Sequence, residues 1–307
     1  MAFLARIKSK ISQNDIAASF FETPAAWISA LVIFTLCFAA LFAPVIASVN
    51  PFDLESLDVM DAHLPPAWTE GGDARFILGT DDQGRDLFSA ILYGLRLSFA
   101  ISLTSVVLSI VIGVGVGVLS GFLGGWVDAI LMRLCDVMLS FPAILVALLT
   151  DGILRSIFPA SIHESLSYVV LIFALTLSGW VPYARTVRGL TLVEKGKEYV
   201  TAAEVIGEKY SRIMRRHIFP NVLGPVFVLA AVNVATAVMT EATLSFLGVG
   251  VPPTTPSLGT LIRIGNDYLF SGEWWICLFP GVVLIAAVLA VNLLGDWLRD
   301  ATNPSLQ

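Results

Sequence analysis

Few side chains in this 307-residue chain stand where they could act on a bound substrate. The three histidines, His63, His163 and His217, fall in separate predicted loops with no shared motif. They suggest neither a metal centre nor a base poised beside a nucleophile. Cys37, Cys135 and Cys277 all lie in apolar runs, widely spaced, with no disulfide or metal-ligand pattern. A Gly-x4-Gly-Lys-Ser/Thr phosphate cradle is missing from the sequence. Leu119-Ser-Gly-Phe-Leu-Gly-Gly125 has some of the composition of a nucleotide signature, but it closes an apolar run. What remains is three charges inside apolar runs, Arg133, Asp136 and Glu241, and one polar island between two such runs.

The island centres on Glu198–Asn221. Glu198–Ile206 has helix-forming composition, and Tyr199, Ala202, Ala203 and Ile206 share one apolar face. Gly207 can take the left-handed conformation that ends a helix. A second short helix, with Tyr210, Ile213 and Met214 apolar, is expected over residues 208–217, and Pro220 fixes the entry to the next apolar run. A merely solvated loop has no use for the small, apolar face. The expected role is contact with another surface, with Ala203 on the contact face.

The elements that hold this island are apolar. The chain is 56% hydrophobic and 14% charged, with mean hydropathy +0.82. That composition predicts an all-α polytopic membrane protein rather than a soluble domain. The net charge of −6 says little, and no basic face exists for nucleic acid. Six spans are expected, near residues 27–47, 97–120, 129–150, 165–184, 222–247 and 275–294. The first apolar run is too long for the core of a signal peptide and is read as a retained span.

Loop charge sets the orientation. Arg185–His217 carries eight of the eighteen Lys and Arg residues, and Arg6, Lys8 and Lys10 precede the first span. Residues 50–95 carry nine acidic residues and only Arg75 and Arg85. Both termini and the island are therefore expected on the cytoplasmic side, and residues 50–95 outside. The expected division is a cytoplasmic tail (1–24), a first span (25–49), an outer segment (50–95), a core (96–297) holding the 185–221 loop, and a cytoplasmic tail (298–307). Phe88, Ile91, Leu92 and Leu95 recur with helical period, consistent with a short surface helix or with the start of the second span.

Gly113, Gly117, Gly121 and Gly125 repeat every fourth residue and predict a close helix–helix contact, within this bundle or in a dimer seam. Arg133 and Asp136, three apart, are expected to pair. Glu241 has two readings, a gate or pathway residue and a structural hydrogen bond to a neighbouring helix.

The Ala202-Ala203 pair, Gly207 and Pro220 together resemble the "EAA" loop of permease subunits of ABC importers. Further matches to the peptide-permease C type are Leu78-Gly-Thr-Asp-Asp-Gln-Gly-Arg-Asp86, Gly124-Gly-Trp-Val-Asp128, Met132-Arg-Leu-Cys-Asp136 and Ala184-Arg-Thr-Val-Arg188. So are His217-Ile-Phe-Pro-Asn221, Glu241-Ala-Thr-Leu-Ser-Phe-Leu-Gly248 and Asn292-Leu-Leu-Gly-Asp-Trp-Leu-Arg-Asp300. Leu64–Gly72 is similar to the dipeptide-type member. Two positions depart from the loop pattern: Thr201 replaces the Glu of the triplet, and Phe219 replaces the Leu before the last Pro.

The resemblance implies a six-span type I ABC importer permease in the bacterial inner membrane, importing dipeptides or short oligopeptides. It implies a second, homologous permease, two cytoplasmic ATPases that hold ATP and magnesium, and an extracytoplasmic solute-binding protein. Tyr199, Thr201, Ala202, Ala203, Ile206, Gly207 and Pro220 would form the ATPase-coupling element. This chain itself would hold no cofactor or metal and catalyse nothing. Nickel chelates, glutathione and antimicrobial peptides are alternative solutes, and an ion-coupled secondary transporter is an alternative class.

Overall fold

Long apolar stretches in a chain with so few charges can satisfy their backbone only as helices, and helices are what form. The computed structural model describes residues 15–47, 49–53, 57–159 and 163–302. Arg6, Lys8, Lys10 and the last five residues fall outside that range. Among the described residues no strand occurs beyond an isolated bridge between Thr80 and Asp86.

The helices are α1 (Asp15–Glu22), α2 (Pro24–Leu41), α3 (Ala43–Ile46), α4 (Leu87–Leu123), α5 (Gly125–Ser140) and α6 (Ala143–Ile157). They continue with α7 (His163–Lys195), α8 (Glu198–Val205), α9 (Tyr210–Ile213), α10 (Phe219–Phe246), α11 (Leu258–Tyr268) and α12 (Trp274–Ala301). A π-helical stretch, Met214–Ile218, joins α9 to α10. Among the described residues five helical segments are long and apolar enough to cross a membrane: α2, α4, α7, the joined α9–α10, and α12. A sixth exists only if α5 and α6 count as one broken span.

That broken span corrects the expected continuous third helix. Gly125–Ser140 and Ile144–Ile153 meet at 90°, across Phe141 and Pro142. Pro142 has no N–H and crowds the preceding turn, so a helix cannot pass straight through it. Other bounds also move. Of the two readings of Phe88–Leu95 the start of the second span holds, since these residues form the first two turns of α4, and the expected C-terminal tail remains helical to Ala301. Pro220, expected at the entry to the next apolar run, occupies the first turn of α10, where a missing N–H is tolerated, and the π-helical stretch carries the backbone into it. The amphipathic α11 has no counterpart among the expected elements.

The chain divides into two compact units, Met1–Arg96 with Gly265–Gln307, and Leu97–Ile264. In the first, α2 packs along α12, and α1 follows by setting Phe20 edge-on to Trp297, centroids 5.0 Å apart. Its outer segment is held by a buried ion pair. Arg85 Nε donates to Asp81 Oδ2 at 2.6 Å, and Asp81 Oδ1 accepts from the backbone N–H of Gln83 and Arg85. Gly79 and Gly84 have positive φ, and a Cβ on either would strike backbone carbonyls, so the motif's glycines are geometric requirements.

In the second unit α4 crosses α7 along the glycine stripe. A Cβ at Gly113 would lie 2.5 Å from the Trp180 carbonyl oxygen, at Gly117 2.6 Å from that of Ala184, and at Gly121 2.8 Å from Thr191 Cβ. These three glycines are packed within this chain. Gly125 is not part of the stripe: α4 has ended, Gly124 and Gly125 both take positive φ to turn the chain, and nothing lies within 4 Å of a Cβ there.

Candidate functional site

The polar island forms a helix–turn–helix braced on its own bundle. Helix α8 ends in a Schellman arrangement, with Gly207 N–H bonded to the Glu204 carbonyl and Glu208 N–H to that of Ala203. Gly207 takes φ +79° with open space around its Cβ position, so its backbone conformation, not crowding, selects glycine.

Two faces of α8 differ. Val200 and Ala203 are buried and join a core of Val118, Phe122, Ile213, Ile218 and Val222. Ala203 thus faces its own chain, which corrects the expectation that it lies on the contact face. The opposite face carries Ala202, Val205 and Ile206, spaced to form one ridge, with Tyr199 and Thr201 beside it. Val205 is 81% and Ile206 80% exposed, without a neighbour to cover them. Val205 was absent from the expected coupling residues. Its exposure follows from the burial of Val200 and Ala203, which the sequence pattern does not order.

Polar contacts fix the ridge in place. The Tyr199 hydroxyl donates to Glu194 and accepts from Asn221 Nδ2 at 3.0 Å. Lys197 Nζ donates to Glu194, which holds the ammonium pKa above its usual value. Burial first, then the Glu194 carboxylate, pushes the Tyr199 phenol up as well. Lys195 Nζ reaches the Phe122 carbonyl at 2.7 Å, tying the end of α7 to the end of α4. His217 pairs with Glu208 at 3.0 Å across the turn. Pro220 lies beside this network but not on the exposed ridge. The result is a small apolar ridge on a rigid base. It can transmit a push, and nothing in it offers a nucleophile or a base.

Beneath the loop, charged pairs clamp α5 to α7. Arg188 binds Asp128 through both Nε and Nη2, at 2.5 and 2.7 Å, and Ser120 donates to the same carboxylate. Asp136 is bonded to Arg185 Nη2 at 2.6 Å. The expected Arg133–Asp136 pair therefore does not form, because a guanidinium on the neighbouring helix takes the carboxylate. A usable signal was present: Asp128 and Asp136, about two turns apart, and Arg185 and Arg188, one turn apart, lie in three of the recognised motifs.

Glu241 is fully buried, and its Oε1 accepts from Ser245 at 2.8 Å, with Ser98 and Ser257 alongside. Ser98 also accepts the Leu258 N–H at 3.3 Å. The carboxyl thus joins a hydroxyl cluster linking α4, α10 and α11 and is enclosed by its own chain.

The described residues thus present long apolar helices and one braced, outward-facing apolar ridge. Residues 113–307 match the family described as the binding-protein-dependent transport system inner membrane component, and residues 14–66 match the N-terminal transmembrane domain of oligopeptide transport permease C. The chain belongs to this family of inner membrane permeases. It is 44% identical to the dipeptide transport system permease protein DppC of Escherichia coli, over 92% of this chain and 89% of that protein. It is 38% identical to the di/tripeptide transport system permease protein DppC of Pseudomonas aeruginosa, over 94% and 91%. A chain of the methionine ABC transporter MetNI, inward-facing, matches in fold with TM-score 0.55 at 22% identity, covering 70% of this chain and 97% of that one.

Proposed function

We propose that this chain is one of two permease subunits in an ATP-driven importer of dipeptides or short oligopeptides, with an extracytoplasmic binding protein delivering the solute. The similarity to dipeptide and di/tripeptide permeases over nine-tenths of the chain supports the solute. The ridge of Ala202, Val205 and Ile206 carries the mechanism: in a family of transport subunits it is the part built to be covered by a cytoplasmic partner. That partner is an ATPase, one of two, and it holds the ATP and magnesium. The chain itself has no catalytic role. Both termini and α8 lie in the cytoplasm, because eight basic residues from Arg185 to His217 oppose the acidic outer segment.

ATP binding closes the ATPase pair and moves the ridge. The braces at Glu194, Tyr199 and Asn221 pass that movement into α7 and α10 as rigid bodies, and the permease pair switches from inward- to outward-facing. ATP works only through its preference for one of these states. The test is ATP hydrolysis by the complete complex in proteoliposomes. Binding protein loaded with a dipeptide should stimulate hydrolysis at least about fivefold over unloaded protein, a coupling of about 1 kcal/mol. Equal rates with dipeptide, and stimulation by a nickel chelate or glutathione instead, would replace the solute.

A further inference from the structure

A cavity of about 240 Å³ lies between α4, α7 and α10, half-way along these spans. Its walls carry Ser105 and Ser109 from α4, Ser178 from α7, and Asn233, Thr236 and Thr240 from α10. No charged side chain lines it. Thr236 and Pro182 are exposed, so the cavity opens on the surface of the chain.

Such a cluster does not suit contact with lipid tails, which leave polar groups unsatisfied. Some of the hydroxyls donate to their own helix: Thr240 to the Thr236 carbonyl at 2.7 Å, and Ser178 to that of Leu175 at 3.1 Å. Each keeps oxygen lone pairs for another donor. Pro182 has no N–H, which leaves the carbonyl of Ser178, one turn back on the same wall, without its helical partner. The Tyr183 hydroxyl is buried at the cavity wall beside Asn233, without a well-formed hydrogen bond. Buried polar groups left in this way call for a partner that the chain does not supply.

We infer that this cavity is a stretch of the translocation pathway that receives the backbone amides of the passing peptide. Resting on the permease reading above, the inference adds the residues that meet the solute and the chemistry they read. Every peptide offers the same N–H and C=O groups whatever its side chains, and neutral hydroxyl, amide and carbonyl groups match them in both senses. A lining without charge neither selects nor traps a charged side chain, which suits conduction of many sequences.

The test uses the complete complex in proteoliposomes, with Cys37, Cys135 and Cys277 replaced by Ala. Asn233→Cys and Thr236→Cys are treated with a charged, membrane-impermeant thiosulfonate, with and without ATP trapping. Val107→Cys, exposed on the opposite, apolar face of α4, is the reference. Both test sites should react at least about tenfold faster than the reference in one of the two states, since reactivity follows access of water to the thiolate. In parallel, Asn233→Leu with Thr236→Val should lower dialanine uptake at least about fivefold while ATP hydrolysis persists, because amide-binding groups are lost and coupling is not. Absence of labelling in both states would overturn the inference and place this face against the second permease or lipid. So would full uptake by the apolar double variant. Rapid labelling in a complex that imports no dialanine would overturn the assignment to peptide amides and the proposed solute together, leaving only a water-filled passage.

Discussion

Replacing Val205 and Ile206 together by Asp should reduce peptide uptake at least about tenfold at unchanged expression. Both side chains stand free of their own bundle, so the substitution removes no internal packing. Against a covering ATPase, each Asp places an unpaired charge in an apolar contact, at a cost of about 3 kcal/mol or more, two orders of magnitude in affinity. In the proposed complex a second permease would hold another ATPase, which is why the expected loss is stated at the lower figure. ATPase subunits should co-purify poorly with the variant. Ala203→Asp must behave differently. It buries a charge in the core of Val200, Ile213 and Ile218 and should lower the folded yield before any question of coupling arises. Lys209→Ala, on the exposed side of the turn, should be nearly silent. If the Val205/Ile206 double variant transports like the parent, the ridge couples nothing.

The second large effect is expected far from the ridge. Asp81→Ala removes the carboxylate that neutralises Arg85, whose side chain is 1% exposed. Removing one partner of a buried ion pair costs up to about 3–5 kcal/mol. Asp82 lies 3.9 Å from Arg85 Nη2, and its carboxyl pKa is raised, first by burial and then by the negative charge of Asp81. Removing Asp81 lifts that repulsion and lets Asp82 ionise more readily beside Arg85, so the loss should fall at the lower end. Thermal unfolding in detergent should begin several degrees lower, and the outer segment should become sensitive to protease first. Asp81→Asn with Arg85→Met, which removes both charges at similar volume, should recover most of the stability. A double variant as unstable as Asp81→Ala would mean that the loss does not come from an uncompensated charge on Arg85.

Much of this architecture was legible because it rests on local rules. Apolar length located the spans, four-residue spacing located Gly113, Gly117 and Gly121, and Gly207 marked the end of α8. The misreadings share a physical cause. Helical period says which residues share a face but not what that face meets, so Ala203 was grouped with Ala202 although the bundle claims one and leaves the other outward. Arg133 and Asp136 satisfy a rule for neighbours on one helix, but Arg185 on α7 offers a closer charge. Gly125 continues the spacing numerically after the helix has already turned at Gly124. The break at Phe141–Pro142 was present in the sequence as proline chemistry, overridden by the apolar length around it. Arg185 and Arg188 went unassigned because their partners lie on another helix.

The central claim is that the ridge of α8 is covered by an ATPase, and a thiol footprint tests it directly. Ile206→Cys is placed in a background without other cysteines and treated with an aqueous maleimide, in the full complex and in the same complex stripped of its ATPases. Val59→Cys, 78% exposed in the outer segment, serves as the reference. The account predicts labelling at Ile206→Cys at least about tenfold slower in the full complex, with Val59→Cys unchanged, since burial excludes the reagent. Equal rates at Ile206→Cys in the two preparations would contradict it.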